Sequence, residues 1–211
     1  MAIVSIYLLV AVGELAFQRI GFSSWGYTLI LIGTLVGSTI NIPIARVRST
    51  EPRLNLREVR VFGLYYRIPQ VSLREVSTTI AINVGGALIP VLVSAYLLIG
   101  HSDIWAQAAA GSVITAILVH FMARKVKGVG IVTPALLPPI AAALIAYALA
   151  PSSPAIVAYV SGTMGALVGA DLTNLRGISK LGAPVASIGG AGTFDGVFLT
   201  GLIAVLLVPF L

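Results

Sequence analysis

The chain has 211 residues, of which 58% are hydrophobic and only 9% are charged. A soluble globular domain of this length is closer to a quarter charged, so the composition indicates one domain with lipid as its main solvent. The chain contains no cysteine, which excludes disulfides, thiolate metal sites and cysteine nucleophiles.

The net charge of +6 is unevenly distributed along the chain. Seven of the 13 basic residues lie between positions 46 and 74, three lie between 124 and 127, and Arg176 and Lys180 form a third group. Because basic residues gather in the cytoplasmic loops of membrane proteins, we expect these three regions and the N-terminus to lie inside the cell. This pattern argues against a nucleic-acid partner.

Apolar segments alternate with these basic regions. A membrane-spanning helix needs about 20 apolar residues, and seven segments approach that length: 2–18, 25–45, 78–100, 104–123, 129–150, 154–173 and 193–211. The sequence therefore predicts an all-α fold, a polytopic bundle of about seven transmembrane helices that forms one integral membrane domain over residues 1–211. The first segment lacks a basic leader and a cleavage site, so we expect a retained helix.

The basic cytoplasmic loop at about 46–77 is long enough for structure of its own. Within it, residues 61–67 could form a strand or an interfacial segment with an aromatic anchor. Glycines four residues apart predict close helix packing in the second and sixth segments, at Gly33 and Gly37 and at Gly165 and Gly169, where Gly162 extends the row.

The start of the last segment determines the predicted chemistry. Gly189 to Gly192 make a poor helix interior, whereas Thr193 is a good N-cap. We therefore predict a helix from Thr193 and an inner loop or re-entrant segment over 176–192. Asp171 then lies near the inner end of the sixth helix, and Asp195 lies in the first turn of the seventh at a similar depth.

Two carboxylates in one dry pocket cannot both ionise cheaply, so one proton is held between them. That gives one acid and one base, the arrangement that aspartic proteases use to activate water. The helix N-terminus favours the charged form of Asp195. The same pair could instead hold an ion or a proton, or be structural, with Asp171 paired to Arg176 and Asp195 at an acidic helix start.

A resemblance rests on these residues. Gly169-Ala170-Asp171 and Gly190-Ala191-Gly192-Thr193-Phe194-Asp195-Gly196 resemble the two-aspartate pattern of GxGD-type intramembrane aspartyl proteases, the presenilins, signal peptide peptidases and prepilin peptidases. Here Thr193 and Phe194 separate the second glycine from the aspartate. Pro134-Ala135-Leu136 matches the PAL tripeptide of presenilin-like enzymes, although it precedes both aspartates.

Longer phrases resemble a prokaryotic family of unknown function placed near those proteases, and this likeness covers most of the chain. They are Asn41-Ile42-Pro43, Asn83-Val84-Gly85-Gly86-Ala87-Leu88-Ile89-Pro90 and Gly128-Val129-Gly130-Ile131. The resemblance implies a multi-pass protein of a prokaryotic cell membrane.

The resemblance also implies catalytic roles for Asp171 and Asp195. We expect substrate contacts from Gly190, Gly192, Thr193, Gly196 and Asn174. Asn41 and Asn83 are expected near the same inner face, where they could hydrogen-bond across helices.

The leading hypothesis is an intramembrane aspartyl protease or protease-like protein that cuts a transmembrane peptide near the cytoplasmic face. The alternatives are an ion- or proton-coupled transporter that uses the same carboxylates, and a catalytically silent membrane scaffold. His101 and His120 lack zinc-site spacing, and we expect neither a metal nor a cofactor.

Overall fold

The computed structural model describes residues 2–61, 64–126, 130–175, 185–190 and 196–211, with side chains described outside 2–9, 49–76 and 130. This part of the chain is mostly helical, as predicted. Its seven α-helices are α1 Ala2–Arg19, α2 Ser24–Gly37, α3 Ile89–Gly100, α4 Trp105–Met122, α5 Leu137–Leu149, α6 Pro154–Ala166 and α7 Gly196–Leu207.

The basic region between α2 and α3 is a long antiparallel hairpin of β1 Asn41–Val61 and β2 Leu64–Asn83. Strand β5, Val185–Ile188, adds to it in parallel beside the last residues of β2. A small second hairpin follows α4 and consists of β3 Arg124–Val126 and β4 Gly130–Val132. For the described part of 61–67, the structure therefore favours the strand alternative.

Helix α2 ends at Gly37, so the predicted extension to residue 45 is wrong. The hydroxyls of Ser38 and Thr39 each donate to a carbonyl of the last turn, Leu35 O and Val36 O, at 2.7 Å. Such side-chain bonds compete with helix continuation. Pro43, which has no N–H group to donate, follows within the first residues of β1.

Two predicted helix starts are also wrong. Residues 78–83 belong to β2, and the helical run begins at Val84, because buried Asn83 takes an extended conformation and caps the run. The fifth helix begins at Leu137 instead of 129, after a strand at 130–132 and Pro134. Short apolar strands and helices have similar hydropathy, so their periodicity does not separate them.

The sixth helical run extends to Asn174, in agreement with its predicted length. Nine of the 13 residues of α6 are buried. The helical run continues as a π-helical segment, Leu167–Asp171, and one 3₁₀ turn, Leu172–Asn174. It packs against α4, α5 and α7. The bundle is therefore built around the run that carries Asp171.

An aromatic cluster fastens α1 to this central helix. Phe17 contacts Tyr159 of α6 edge to face, with ring centroids 5.7 Å apart, and stacks on Phe198 of α7 at 6.3 Å. Its third neighbour is Tyr27 of α2 at 5.2 Å. Each such pair adds about 0.5–1.5 kcal/mol beyond area burial.

The predicted glycine rows lie at helix contacts, as expected. A Cβ added to Gly165 would lie 2.5 Å from Thr115 Cβ of α4, and one added to Gly169 would collide with the Ala116 carbonyl. Gly162 instead faces Gly201 of α7, with 3.2 Å between its hypothetical Cβ and that Cα. The row therefore lets α6 approach α4 and α7 closely.

We expect Gly165→Ala to destabilise the protein by about 1–3 kcal/mol, because α4 and α6 must separate to admit the methyl group. The matched control is Gly100→Ala, since an added Cβ there meets nothing within 4 Å. Thermal unfolding of the purified variants in detergent measures the difference. Equal unfolding midpoints for the two variants would contradict the packing described.

Two helical runs, Ser102–Met122 and Pro154–Asn174, are long and apolar enough to cross a membrane by length and composition. The other apolar runs found among the described residues have 10–17 residues. The number of membrane crossings is therefore not fixed by helix length.

Candidate functional site

Asp171 is the last residue of the π-helical segment that follows α6. A π segment widens the helix by one residue per turn and is frequent at functional sites. The Asp171 side chain is half-buried. The widened turn therefore holds a carboxylate at the end of the central helix.

The Asp171 carboxylate binds a tight glycine turn that follows β5. Its Oδ2 accepts a hydrogen bond from the Gly189 N–H at 2.6 Å. Gly189 and Gly190 have φ angles of +82° and +74°, which favour glycine. A Cβ on Gly189 would also lie 2.5 Å from Ala87 N, so no other residue fits this position without movement.

The turn packs against a second π segment, Val84–Leu88, which is capped by buried Asn83. The Asn83 amide nitrogen donates to Ser38 O at 2.7 Å and to Asn41 Oδ1 at 3.1 Å, and its Oδ1 accepts from Gly86 N at 2.7 Å. These bonds fasten the end of α2 and the start of β1 to the π segment. They also bring Asn41 and Asn83 into direct contact.

Ser187 of β5 donates its hydroxyl to the same Asn41 Oδ1. It lies two residues before Gly189, so one connected set of polar groups joins the two π segments. We call this set the polar corner and define it by its members: Asn41, Asn83, Gly86, Asp171, Ser187 and Gly189. Two π segments and a strand end therefore meet around one carboxylate.

We expect Asn83→Ala to destabilise the protein by about 2–4 kcal/mol, because it leaves the buried Gly86 N–H and Ser38 carbonyl without this partner. Asn41→Ala is the matched control, since Asn41 is exposed, and we expect a loss below about 1 kcal/mol. Thermal unfolding in detergent compares them. An Asn83→Ala midpoint equal to that of Asn41→Ala would count against the capping role.

Asn174 lies in the turn after Asp171 and is buried. Its amide nitrogen donates to two carbonyls of its own helical run, Gly169 O at 3.1 Å and Ala170 O at 2.9 Å. Asn174 thus bonds back to the turn that carries Asp171, a structural contact that the predicted substrate contact did not include.

Of the three glycines predicted to contact substrate, Gly190 and Gly196 lie among the described residues. The N–H of Gly190 donates to Ser187 O at 3.2 Å, within the turn. Gly196 is the first residue of α7 and is exposed. Gly192, Thr193 and Asp195 lie at 191–195, outside the described residues, so the aspartate pair and the N-cap at Thr193 remain predictions.

His120 has a hydrogen-bond partner that the sequence did not reveal. His120 Nδ1 lies 2.7 Å from Thr173 Oγ1, a residue of the turn that follows Asp171. Thr173 in turn donates to Gly169 O. A pair of residues 53 positions apart leaves no local signal in a single sequence. Among the described residues no group of three or more acidic, histidine or cysteine side chains could hold a metal ion.

The described chain is thus a helical bundle with a polar, glycine-rich corner at the end that bears the basic strands. The family model described as "Protein of unknown function (DUF1614)" matches residues 35–207, and the chain belongs to this family. The match includes the whole polar corner and both predicted aspartates. Neither a curated protein nor a solved structure matches the chain.

Proposed function

We propose that the protein is a multi-pass protein of a prokaryotic cell membrane. Large apolar side chains on the outer faces of the helices support this: Trp25, Ile99 and Phe121 are 79%, 80% and 82% exposed. Exposed large apolar side chains are frequent along the described helices, and a surface of this composition is typical of lipid contact. Trp25 and Trp105 both lie near one end of the helices, where interfacial aromatic residues anchor a bundle.

The opposite end of the bundle carries the basic strands. Arg46, Arg48, Arg124 and Lys125 are all exposed and follow helix ends on the side that holds Asp171. By the positive-inside rule this end is cytoplasmic. The polar corner then lies at or near the cytoplasmic face, with the N-terminus inside.

Within this setting we propose that Asp171 and Asp195 form the catalytic pair of an intramembrane aspartyl protease. The observation that carries the proposal is the hydrogen bond from Gly189 to Asp171, because Gly189 lies six residues before Asp195. On the other side of residues 191–195, Val197 packs in the same apolar cluster as Leu167. Both flanks of the segment that contains Asp195 therefore lie beside the helical run that carries Asp171.

The chemistry follows from two carboxyl groups that share one proton. The ionised carboxylate takes a proton from water, and the oxygen of that water attacks the carbonyl carbon of the scissile peptide bond. The protonated carboxyl gives its proton to the amine nitrogen as the C–N bond breaks. One water is consumed, and the products are a carboxylic acid and an amine.

The test is peptide cleavage by purified protein in vesicles that contain a library of membrane-spanning peptides. We expect cleavage to fall by about 10²–10⁴-fold in both Asp171→Asn and Asp195→Asn, since each removes one proton-transfer group. The matched control is Asp103→Asn, which lies just before α4, at the end of the bundle opposite to Asp171. We expect this variant to retain cleavage. Cleavage that persists in either aspartate variant would exclude this mechanism.

A second candidate, ion- or proton-coupled transport through the same carboxylates, is favoured by one specific observation. The helical runs of α3 and α6 each carry a π segment at the end that meets the polar corner, and transporter sites are typically built from irregular helical backbone. Proton or cation flux into vesicles that is lost in Asp171→Asn, without peptide cleavage by the wild type, would select this candidate.

A further inference from the structure

An open apolar groove of about 830 Å³ runs along α4 on the side that faces α6. Its floor includes Ala109, Ser112 and Ala116 of α4, and Val168 of the sixth helical run forms part of its wall. The groove extends from Trp105 to His120, 15 residues apart, which is about 22 Å at 1.5 Å per residue. It is therefore longer than one leaflet of bilayer hydrocarbon, about 15 Å.

The groove becomes polar at the cytoplasmic end. The single hydroxyl proton of Thr173 is donated to Gly169 O at 2.7 Å, so the 2.7 Å contact with His120 Nδ1 has the histidine nitrogen as its donor. This assigns a proton to Nδ1, so Nε2 can donate to a phosphate oxygen only when it carries a proton as well. The contact also fixes the imidazole at the mouth of the groove.

Two cationic side chains follow His120 in the chain. Arg124 and Lys125 are exposed residues of β3, four and five positions after His120. Within the described part of the chain, no carboxylate forms an ion pair with either of them. The apolar groove thus ends at a histidine, and two exposed cationic residues follow that histidine in the chain.

We propose that this groove binds an anionic phospholipid of the cytoplasmic leaflet, with an acyl chain along α4 and the phosphate at His120, Arg124 and Lys125. A methylene takes up about as much room as a water molecule, roughly 30 Å³, so an 18-carbon chain needs about 500 Å³. The groove holds one chain and part of the second. Basic pockets between membrane helices on the cytoplasmic side characteristically bind such headgroups.

The size of the groove favours lipid over a peptide helix as its occupant. A helix with side chains is about 10–12 Å across, so a 20-residue helix has more than twice the volume of the groove. The proposal rests on the membrane residence proposed above and does not depend on either aspartate. It therefore stands or falls separately from proteolysis.

Native mass spectrometry of the full-length protein, exchanged into an equimolar mixture of phosphatidylglycerol and phosphatidylcholine, tests the proposal. We expect one retained phosphatidylglycerol per protein, at about 30-fold preference over phosphatidylcholine for two cations near the headgroup. In the double variant Arg124→Gln/Lys125→Gln the preference falls to about 1. The matched control Arg46→Gln/Arg48→Gln, which changes two exposed arginines of β1, keeps it.

A second pair of variants tests the part of the groove that is proposed to hold the acyl chain. Ala109 and Ala110 are adjacent exposed residues of α4, but only Ala109 lines the groove. We expect Ala109→Phe to lower retention of both lipids at least 10-fold, whereas Ala110→Phe retains the wild-type level. Equal retention in these two variants, or a wild-type protein without preference for phosphatidylglycerol, would overturn the proposal. So would loss of peptide cleavage in Ala109→Phe with lipid retention unchanged, because the groove would then be a peptide site.

Discussion

Asp171→Asn is expected to remove peptide cleavage while the fold survives. The asparagine side-chain oxygen can still accept the Gly189 N–H bond that the carboxylate accepts at 2.6 Å, so the glycine turn keeps its partner. The amide cannot accept or release a proton at neutral pH, however, and this loss corresponds to about 10²–10⁴-fold in rate. Cleavage rate and unfolding midpoint are measured on the same preparation.

The variant Asp171→Leu distinguishes a loss of stability from a loss of proton transfer. Leucine supplies no acceptor, so Gly189 N–H loses this bond, and we expect an additional stability loss of about 1–3 kcal/mol. If Asp171→Asn unfolds as readily as Asp171→Leu, the negative charge itself holds the corner together. Lost cleavage in Asp171→Asn would then report instability and not lost proton transfer.

Gly189→Ala is expected to give the largest loss of stability among the glycine variants, about 2–5 kcal/mol. The left-handed backbone, with φ of +82°, costs an alanine about 1–2 kcal/mol. The added Cβ also lies 2.5 Å from Ala87 N, and crowding of this kind costs a further 1–3 kcal/mol or so. Because relief of the contact moves the turn away from Asp171, cleavage should fall as well.

Gly21→Ala isolates the backbone contribution to that loss. Gly21 has φ of +94°, but an added Cβ there meets nothing within 4 Å, so we expect only about 1–2 kcal/mol. Thermal unfolding in detergent measures both variants. If the two losses are equal, Gly189 is not packed against Ala87 as described.

The class of fold could be predicted from the sequence because long apolar runs carry a strong signal. The interior of each run proved helical among the described residues, but ends at 45, 78 and 129 were misplaced. Residues 41–45 and 80–83 are apolar enough to extend a helix, and yet they pair with each other as strands. Strand pairing depends on a partner about 40 residues away, which hydropathy along the chain does not contain.

The candidate site could likewise be predicted only in part. Asn41, Asn83 and Asp171 could be placed at one end of the bundle from the sequence, since all three fall near ends of predicted helices. The partner of Asp171 could not be predicted, because Gly189 belongs to a turn that is held in place by β5 pairing with β2. The helix widening at Leu167–Asp171 also has no marker in the residue types of that segment.

The central claim is that Asp171 and Asp195 share a pocket, and cysteine cross-linking tests it most directly. The chain has no cysteine, so Asp171→Cys/Asp195→Cys introduces the only two thiols. A short bifunctional thiol reagent joins them when the sulfurs lie within about 6 Å, the span of two hydrogen bonds through one water. Asp171→Cys/Asp103→Cys is the matched control, with its thiols at opposite ends of the bundle.

We predict rapid intramolecular cross-linking of the Asp171→Cys/Asp195→Cys protein in vesicles, detected as a joined peptide pair after digestion, and none in the control. A pair that reacts singly at both thiols but never cross-links would show that the aspartates lie apart. That result would contradict the proposed catalytic site.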